Sequence, residues 1–320
     1  MRAREHTMHA DLRRLSTRLA LLLVVLGGGL GTAPPARADT DRPTKFSNIG
    51  SVGNTRHNLS QRQVSGGGPA GQTMDSYRND YQEVCVYCHT PHAANTTVPA
   101  APLWNRTMKA TTYQTYDLLQ TASLSQPVTQ PGVNSLTCLS CHDGQTAVDS
   151  IINMPGSGRY LASQQTSENL AFLDSWDNQR GPDATAHARL SGTECLACHS
   201  AGAGVVGANA TDFTAFAIGT DLRNDHPVGV RFPATAGPGS DFKDPPRKEA
   251  RLAYFDTNGN SRADSGEIRL YNTGDGYEVE CASCHDPHGV PSGGAGTVFN
   301  PTFLRVSNTG SAVCLTCHSK

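Results

Sequence analysis

Apolar residues run together only once in this chain, in LALLLVVLGGGLG at positions 19–31. Elsewhere no sustained helical or strand period emerges, so few long regular elements are expected. YDLLQTASL (116–124) and SENLAFLDSWD (167–177) fit short helices best, while GGGPAGQ (66–72) and SGGAG (292–296) read as flexible loops. The pattern predicts a chain that is mostly irregular coil with short α-helices.

The one apolar run has a clear context. Arg2, Arg4, Arg13, Arg14 and Arg18 precede it, and ARA (36–38) follows before Asp39. A basic start, a short apolar segment broken by glycines and a small-residue site together predict a secretory signal peptide over 1–38, cleaved after Ala38. A membrane anchor would need a longer uninterrupted stretch. Arg13-Arg14 hints at twin-arginine export. The expected mature chain, 39–320, is one exported domain in the periplasm or at the cell surface, with no membrane span.

Composition changes the picture in one respect. Only 6% of the 320 residues are aromatic, against 32 glycines and 19 prolines, and the apolar content leans on alanine. Such a chain struggles to bury a core with its own side chains. Something else is expected to fill the interior. The leader also removes six arginines and two acids, which moves the formal charge from −2 to −6. That balance disfavours nucleic acid or an anionic membrane as partner.

The ten cysteines supply the missing filler. Cys85/Cys88/His89, Cys138/Cys141/His142, Cys195/Cys198/His199, Cys281/Cys284/His285 and Cys314/Cys317/His318 are five copies of C-x-x-C-H, with none left over. Disulfides are the ordinary expectation in an exported chain, but they do not explain a histidine after every second cysteine. Zinc bound by four thiolates leaves an odd pair and the same unexplained histidine. Attachment of c-type haem explains all of it: two thioethers and a proximal histidine at each of five haems. Covalent attachment to an unfolded exported chain favours the general secretory route over the twin-arginine one.

Twelve histidines allow a further count. His6 and His9 leave with the leader and five sit in the motifs, so His57, His92, His187, His226 and His288 remain as distal ligands for five irons. An iron held by two histidines offers no open position to a substrate, which leaves one-electron transfer. CVYCHTPH (85–92) and CASCHDPH (281–288) each carry a second histidine three residues after the first. That spacing cannot reach the opposite face of the same haem, so each motif is expected to clamp two neighbouring haems. His92 is expected to serve haem two and His288 haem five, leaving His57, His187 and His226 for haems one, three and four in an order the spacing leaves open. A small-oxyanion reductase, such as one acting on nitrite, is the alternative of another class. It would need one iron without its second histidine.

DTNGNSRADSGE (256–267) fits a calcium loop. Asp256, Asn258, Asn260, Asp264 and Glu267 fall at the side-chain ligand positions and Arg262 at the carbonyl position. Ser261 departs from the glycine that the sharp turn prefers. A polar surface loop is the plainer reading, and any calcium would be structural.

TRHNLS (55–60), EVCVYCHTPH (83–92) with PLWNR (102–106), CLSCHDG (138–144), NDHPVG (224–229) and ECASCHDPHG (280–289) together resemble the exported multihaem c-type cytochromes. Within them the chain is most similar to the filament-forming outer-surface cytochromes of the OmcE and OmcS kind. The resemblance implies bis-histidine haems stacked in a chain, an elongated protein wrapped around them, and other cytochromes as redox partners. It also implies that His57 crosses to ligate a haem of a neighbouring subunit, with haem four as the target. Five haems depart from the four and six of those relatives, and a monomeric periplasmic shuttle shares several of these blocks.

Overall fold

The computed structural model describes residues 46–60, 81–97, 99–155, 189–201 and 212–320. The signal peptide, GGGPAGQ, SENLAFLDSWD and His187 lie outside the described residues. Those described belong to one compact unit, Asp41–Lys320.

Among the described residues there are four short α-helices: α1 (Val133–His142), α2 (Cys195–Cys198), α3 (Cys281–Cys284) and α4 (Ala312–Cys317). Each includes both cysteines of a C-x-x-C-H motif. The first motif forms a 3₁₀ turn instead, Cys85–Tyr87. Most of the other described residues are turns and coil, as the weak periodicity predicts. YDLLQTASL is a correction to that reading, since it yields only one 3₁₀ turn, Tyr116–Leu119. Thr115 Oγ1 bonds Asp117 at the entrance, and Gln120 leaves in the left-handed region at φ +50°, where a helix cannot continue.

A five-stranded sheet is the element that the sequence pattern did not disclose. Its strands are β1 (Val230–Arg231), β2 (Arg247–Lys248), β3 (Leu252–Tyr254), β4 (Arg269–Asn272) and β5 (Tyr277–Val279), ordered β1-β5-β4-β3-β2. All pairings are antiparallel, with Ala253 opposite Leu270 and Tyr271 opposite Glu278. Strands of two to four residues are too short for a period of two to stand out. One face is nonetheless apolar: Ala253, Phe255, Ile268 and Leu270 are buried with Phe232.

The core is divided. The sheet cluster packs on Cys284 and Cys317, a second cluster (Tyr81, Val86, Tyr87, Ile151) packs on Cys88, and a third gathers Tyr113, Leu139 and Leu222 around α1. Each small cluster therefore abuts at least one C-x-x-C-H motif. α1 has no side-chain cap of its own. The Glu280 carboxylate, one residue before α3, accepts from Gly132 N at 3.0 Å and from the Ser135 hydroxyl, while Cys281 N donates to Ser135 Oγ at 2.8 Å. This bridge locks the second motif to the fourth.

Candidate haem and calcium sites

A C-x-x-C-H segment coiled as one helical turn brings both thiols and the imidazole to one side. The histidine amide closes that turn on the first cysteine's carbonyl: His89 to Cys85 at 2.7 Å, His199 to Cys195 at 2.9 Å, His285 to Cys281 at 3.0 Å and His318 to Cys314 at 2.9 Å. None of the ten cysteines is in a disulfide. Burial pushes Cys88 up to about 12, Cys284 up to about 11 and Cys317 up to about 12. Such surroundings suit an uncharged sulfur, which is the state of a thioether.

The proximal imidazoles are oriented by backbone carbonyls. His89 Nδ1 lies 2.6 Å from Pro102 O, His142 Nδ1 2.6 Å from Phe216 O and His285 Nδ1 2.7 Å from Thr302 O. A carbonyl only accepts, so Nδ1 carries the proton in each and Nε2 is left as the metal-binding nitrogen. Desolvation lowers the pKa of His142 and His285, which keeps the rings neutral as ligands must be. His199 stacks on Phe213 with centroids 4.1 Å apart, and His318 packs against Phe242 at 4.8 Å. The donor sets at the motifs thus fit covalent haem.

The spare histidines fall into unlike places. The His288 ring lies 6.2 Å from His89 with planes 10° apart, so it faces the first motif and not the fifth as its spacing suggested. Its Nδ1 bonds Asp286 Oδ1 at 2.8 Å, which raises its pKa. His57 lies 6.3 Å from His142 at 88° and 4.6 Å from Phe303, with Nδ1 3.2 Å from Pro287 O. Desolvation, with His142 nearby, lowers it to about 4. This position inside its own chain differs from the crossing to a neighbour that the resemblance implies. His226 has its pKa lowered by desolvation and, in smaller part, by His318. For His92, among the described residues, only the backbone carbonyl is bonded, by Thr90 Oγ1 and Asn153 Nδ2, both at 2.8 Å.

The motifs touch one another. Cys138 and Cys281 each shift the other's pKa, the first upward and the second downward, and Trp104 Nε1 donates to Ser140 Oγ inside the second motif. Arg106 was missed in the sequence reading, although PLWNR contains it. It is fully buried and donates to four carbonyls, Val148, Ser150, Ser140 and Ala147, at 2.8–2.9 Å. Arg305 was missed likewise. It bonds Ala282 O, Ser265 O and Asp286 Oδ2, tying the fourth motif to the 256–267 loop.

That loop connects β3 to β4, so it sits in a hairpin and not between helices. Asp264 Oδ2 accepts from Asn258 Nδ2 and Asn260 Nδ2, Asp264 N donates to Glu267 Oε2, and Arg262 O accepts from Asp264 N. The Asp256 carboxylate is occupied by the amides of Gly259, Asn260 and Ser261 and by Arg247. Ser261 adopts φ +61°, the conformation for which glycine is preferred, so the departure in sequence does not alter the turn. Among the described residues no three His, Cys, Asp or Glu side chains are gathered as a metal cluster.

Residues 276–320 match the family model of the doubled CXXCH motif. No curated protein matches the chain. The doubled motif is haem-binding and supports a multihaem c-type cytochrome with an electron-transfer role. Cytochromes of this kind are typically non-catalytic electron carriers. Among the described residues no helix is long and apolar enough to cross a membrane.

Proposed function

We propose that this chain is an exported pentahaem electron-transfer protein, with haems on all five C-x-x-C-H motifs and two histidines at each iron. When bound, each haem supplies a one-electron iron couple. The chain's own residues do the rest: ten cysteines fix the groups, His89, His142, His199, His285 and His318 present Nε2, and backbone carbonyls set the tautomer. His57, His92, His187, His226 and His288 supply the second ligands. The observation that carries this reading is the repeated Nδ1-to-carbonyl bond, which leaves the metal-binding nitrogen unspent at the first, second and fourth motifs. Intact mass of the exported protein tests it: the expected mass includes five haems and lacks residues 1–38. Bis-histidine irons do not take up carbon monoxide, so a strong shift of the Soret band under that gas would instead favour the oxyanion reductase.

On its resemblance, the protein is a subunit of an extracellular cytochrome filament. A discrete carrier is the second reading, favoured by the seat of His57 beside His142 in its own chain. Electron microscopy of the native cell-surface fraction separates them, as ordered filaments or as single particles. We also propose one structural Ca²⁺ held by Asp256, Asn258, Asn260, Arg262 O, Asp264 and Glu267. Calcium is expected to raise the melting temperature of the wild type but not of Asp264→Ala. Equal effects on both would exclude the site.

A further inference from the structure

We infer that His89 and His288 are the two axial ligands of the haem on Cys85 and Cys88, with coplanar rings. Likewise His57 and His142 serve the haem on Cys138 and Cys141, with crossed rings. The inference rests on the haem reading above and adds the ligand pairing to it.

Distance carries the first part of the argument. With metal–nitrogen bonds of about 2 Å, and about 1 Å more from each ligating nitrogen to its ring centre, imidazoles on opposite faces of one iron have centroids about 6 Å apart. The two pairs measure 6.2 and 6.3 Å. Direct ring contact is the competing explanation. The near-parallel pair stands farther apart than His199 and Phe213, which stack face to face at 4.1 Å, and the nitrogens of the four rings decide between contact and a shared iron.

The second part is chemical. All four rings have Nδ1 committed to an oxygen: Pro102 O for His89, Asp286 Oδ1 for His288, Phe216 O for His142 and Pro287 O for His57. Among the described residues no Nε2 of the four has a hydrogen-bond partner. Carboxylate or carbonyl on one nitrogen and metal on the other is the usual arrangement of a ligating histidine.

One consequence concerns the chain. The fourth motif then serves two irons, its own through His285 and the first through His288. Chain segments around residues 57, 89, 142 and 288 become cross-linked through metal, which a sheet of five short strands could not achieve alone.

The test is electron paramagnetic resonance of the oxidised, haem-loaded protein. In ferric haems with two imidazoles, parallel planes give a rhombic low-spin signal and perpendicular planes a strongly anisotropic one with a large principal g value. His288→Met is expected to remove one haem's share of rhombic intensity, and Cys85→Ala/Cys88→Ala should remove the same signal. His57→Met and Cys138→Ala/Cys141→Ala should each remove the same large-g signal. Methionine retains a sixth ligand, so these variants keep the iron ligated and the loss is read against a new thioether–iron charge-transfer band. The pairing is overturned if the histidine and cysteine variants of one pair affect different signals. A wild-type mass without five haems overturns the underlying haem reading instead, and the pairing with it.

Discussion

CVYCHTPH and CASCHDPH are built as the same device, and the differences between them decide what each does. In both, a segment returns to cover the motif. Asn105 N bonds Cys88 O at 2.8 Å as Arg305 N bonds Cys284 O at 2.7 Å. Thr90 N bonds Leu103 O as Asp286 N bonds Phe303 O, and His89 and His285 find carbonyls at the same place. Even the backbone repeats, with Leu103 at φ +52° and Phe303 at φ +59°. Against that shared frame three positions diverge. Thr90 turns its hydroxyl to the His92 carbonyl, whereas Asp286 holds the His288 ring. Asn105 reaches Val86 O, whereas Arg305 at the matching site reaches Ala282 O and also braces Asp286. Ala93 follows one motif and Gly289 the other. A carboxylate in place of a hydroxyl lets the covering loop fix the imidazole of His288.

The largest way to break the comparison is at the arginines. Arg106→Met leaves four buried carbonyls without donors and is expected to cost about 3 to 5 kcal/mol. Arg305→Met is expected to cost about 3 kcal/mol and also to disturb the His288 signal, since Asp286 loses its brace. Denaturant unfolding of the haem-loaded variants measures both. If Arg305→Met destabilises without altering His288, the two copies differ less than their contacts imply.

A smaller effect is expected one residue past each motif. A Cβ on Gly289, at φ +89°, would stand 2.2 Å from the Phe299 ring, so Gly289→Ala should cost about 2 kcal/mol. Ala93 tolerates φ +53° at the equivalent position. Ala93→Gly is expected to gain about 0.5 kcal/mol as left-handed strain is relieved. Thermal melts of the two single variants should therefore move in opposite directions.

The smallest effect is in pH. Burial would raise the Asp286 carboxyl, but the His288 bond and the Arg305 charge outweigh it and bring it down to about 2. Its folded value lies below the unfolded one, so its contribution is complete above about pH 4 and is lost as pH falls through about 2. The size is under about 1 kcal/mol, because solvent screens part of the interaction. Asp286→Thr, which copies the first motif, should lack this acid-dependent loss in melts taken across that window.

Several features were legible in residues 39–320 because they are local. Each C-x-x-C-H fixes its own attachment chemistry within one turn of chain, and the poverty of long apolar periods announces an irregular fold. The sheet was not legible, since β1 to β5 owe their pairing to partners as much as 49 residues away, Val230 with Val279. Nothing local in the sequence singled out Arg106 or Arg305. Only the return of their segments over the motifs buries them.

The sequence by itself determined the five C-x-x-C-H motifs, because that pattern is complete within a pentapeptide. It also implied that His92 and His288 do not serve the iron of their own motif, since a ring three residues from a proximal histidine cannot reach the far side of the same plane. Which rings meet was decided by tertiary structure alone. The Glu280 bridge joins the fourth motif to α1 across 148 residues, and the His288 ring comes to lie beside His89 from the far end of the chain. A spacing rule has no access to that distance, because the contact depends on how separate turns pack and not on how far apart they are in sequence.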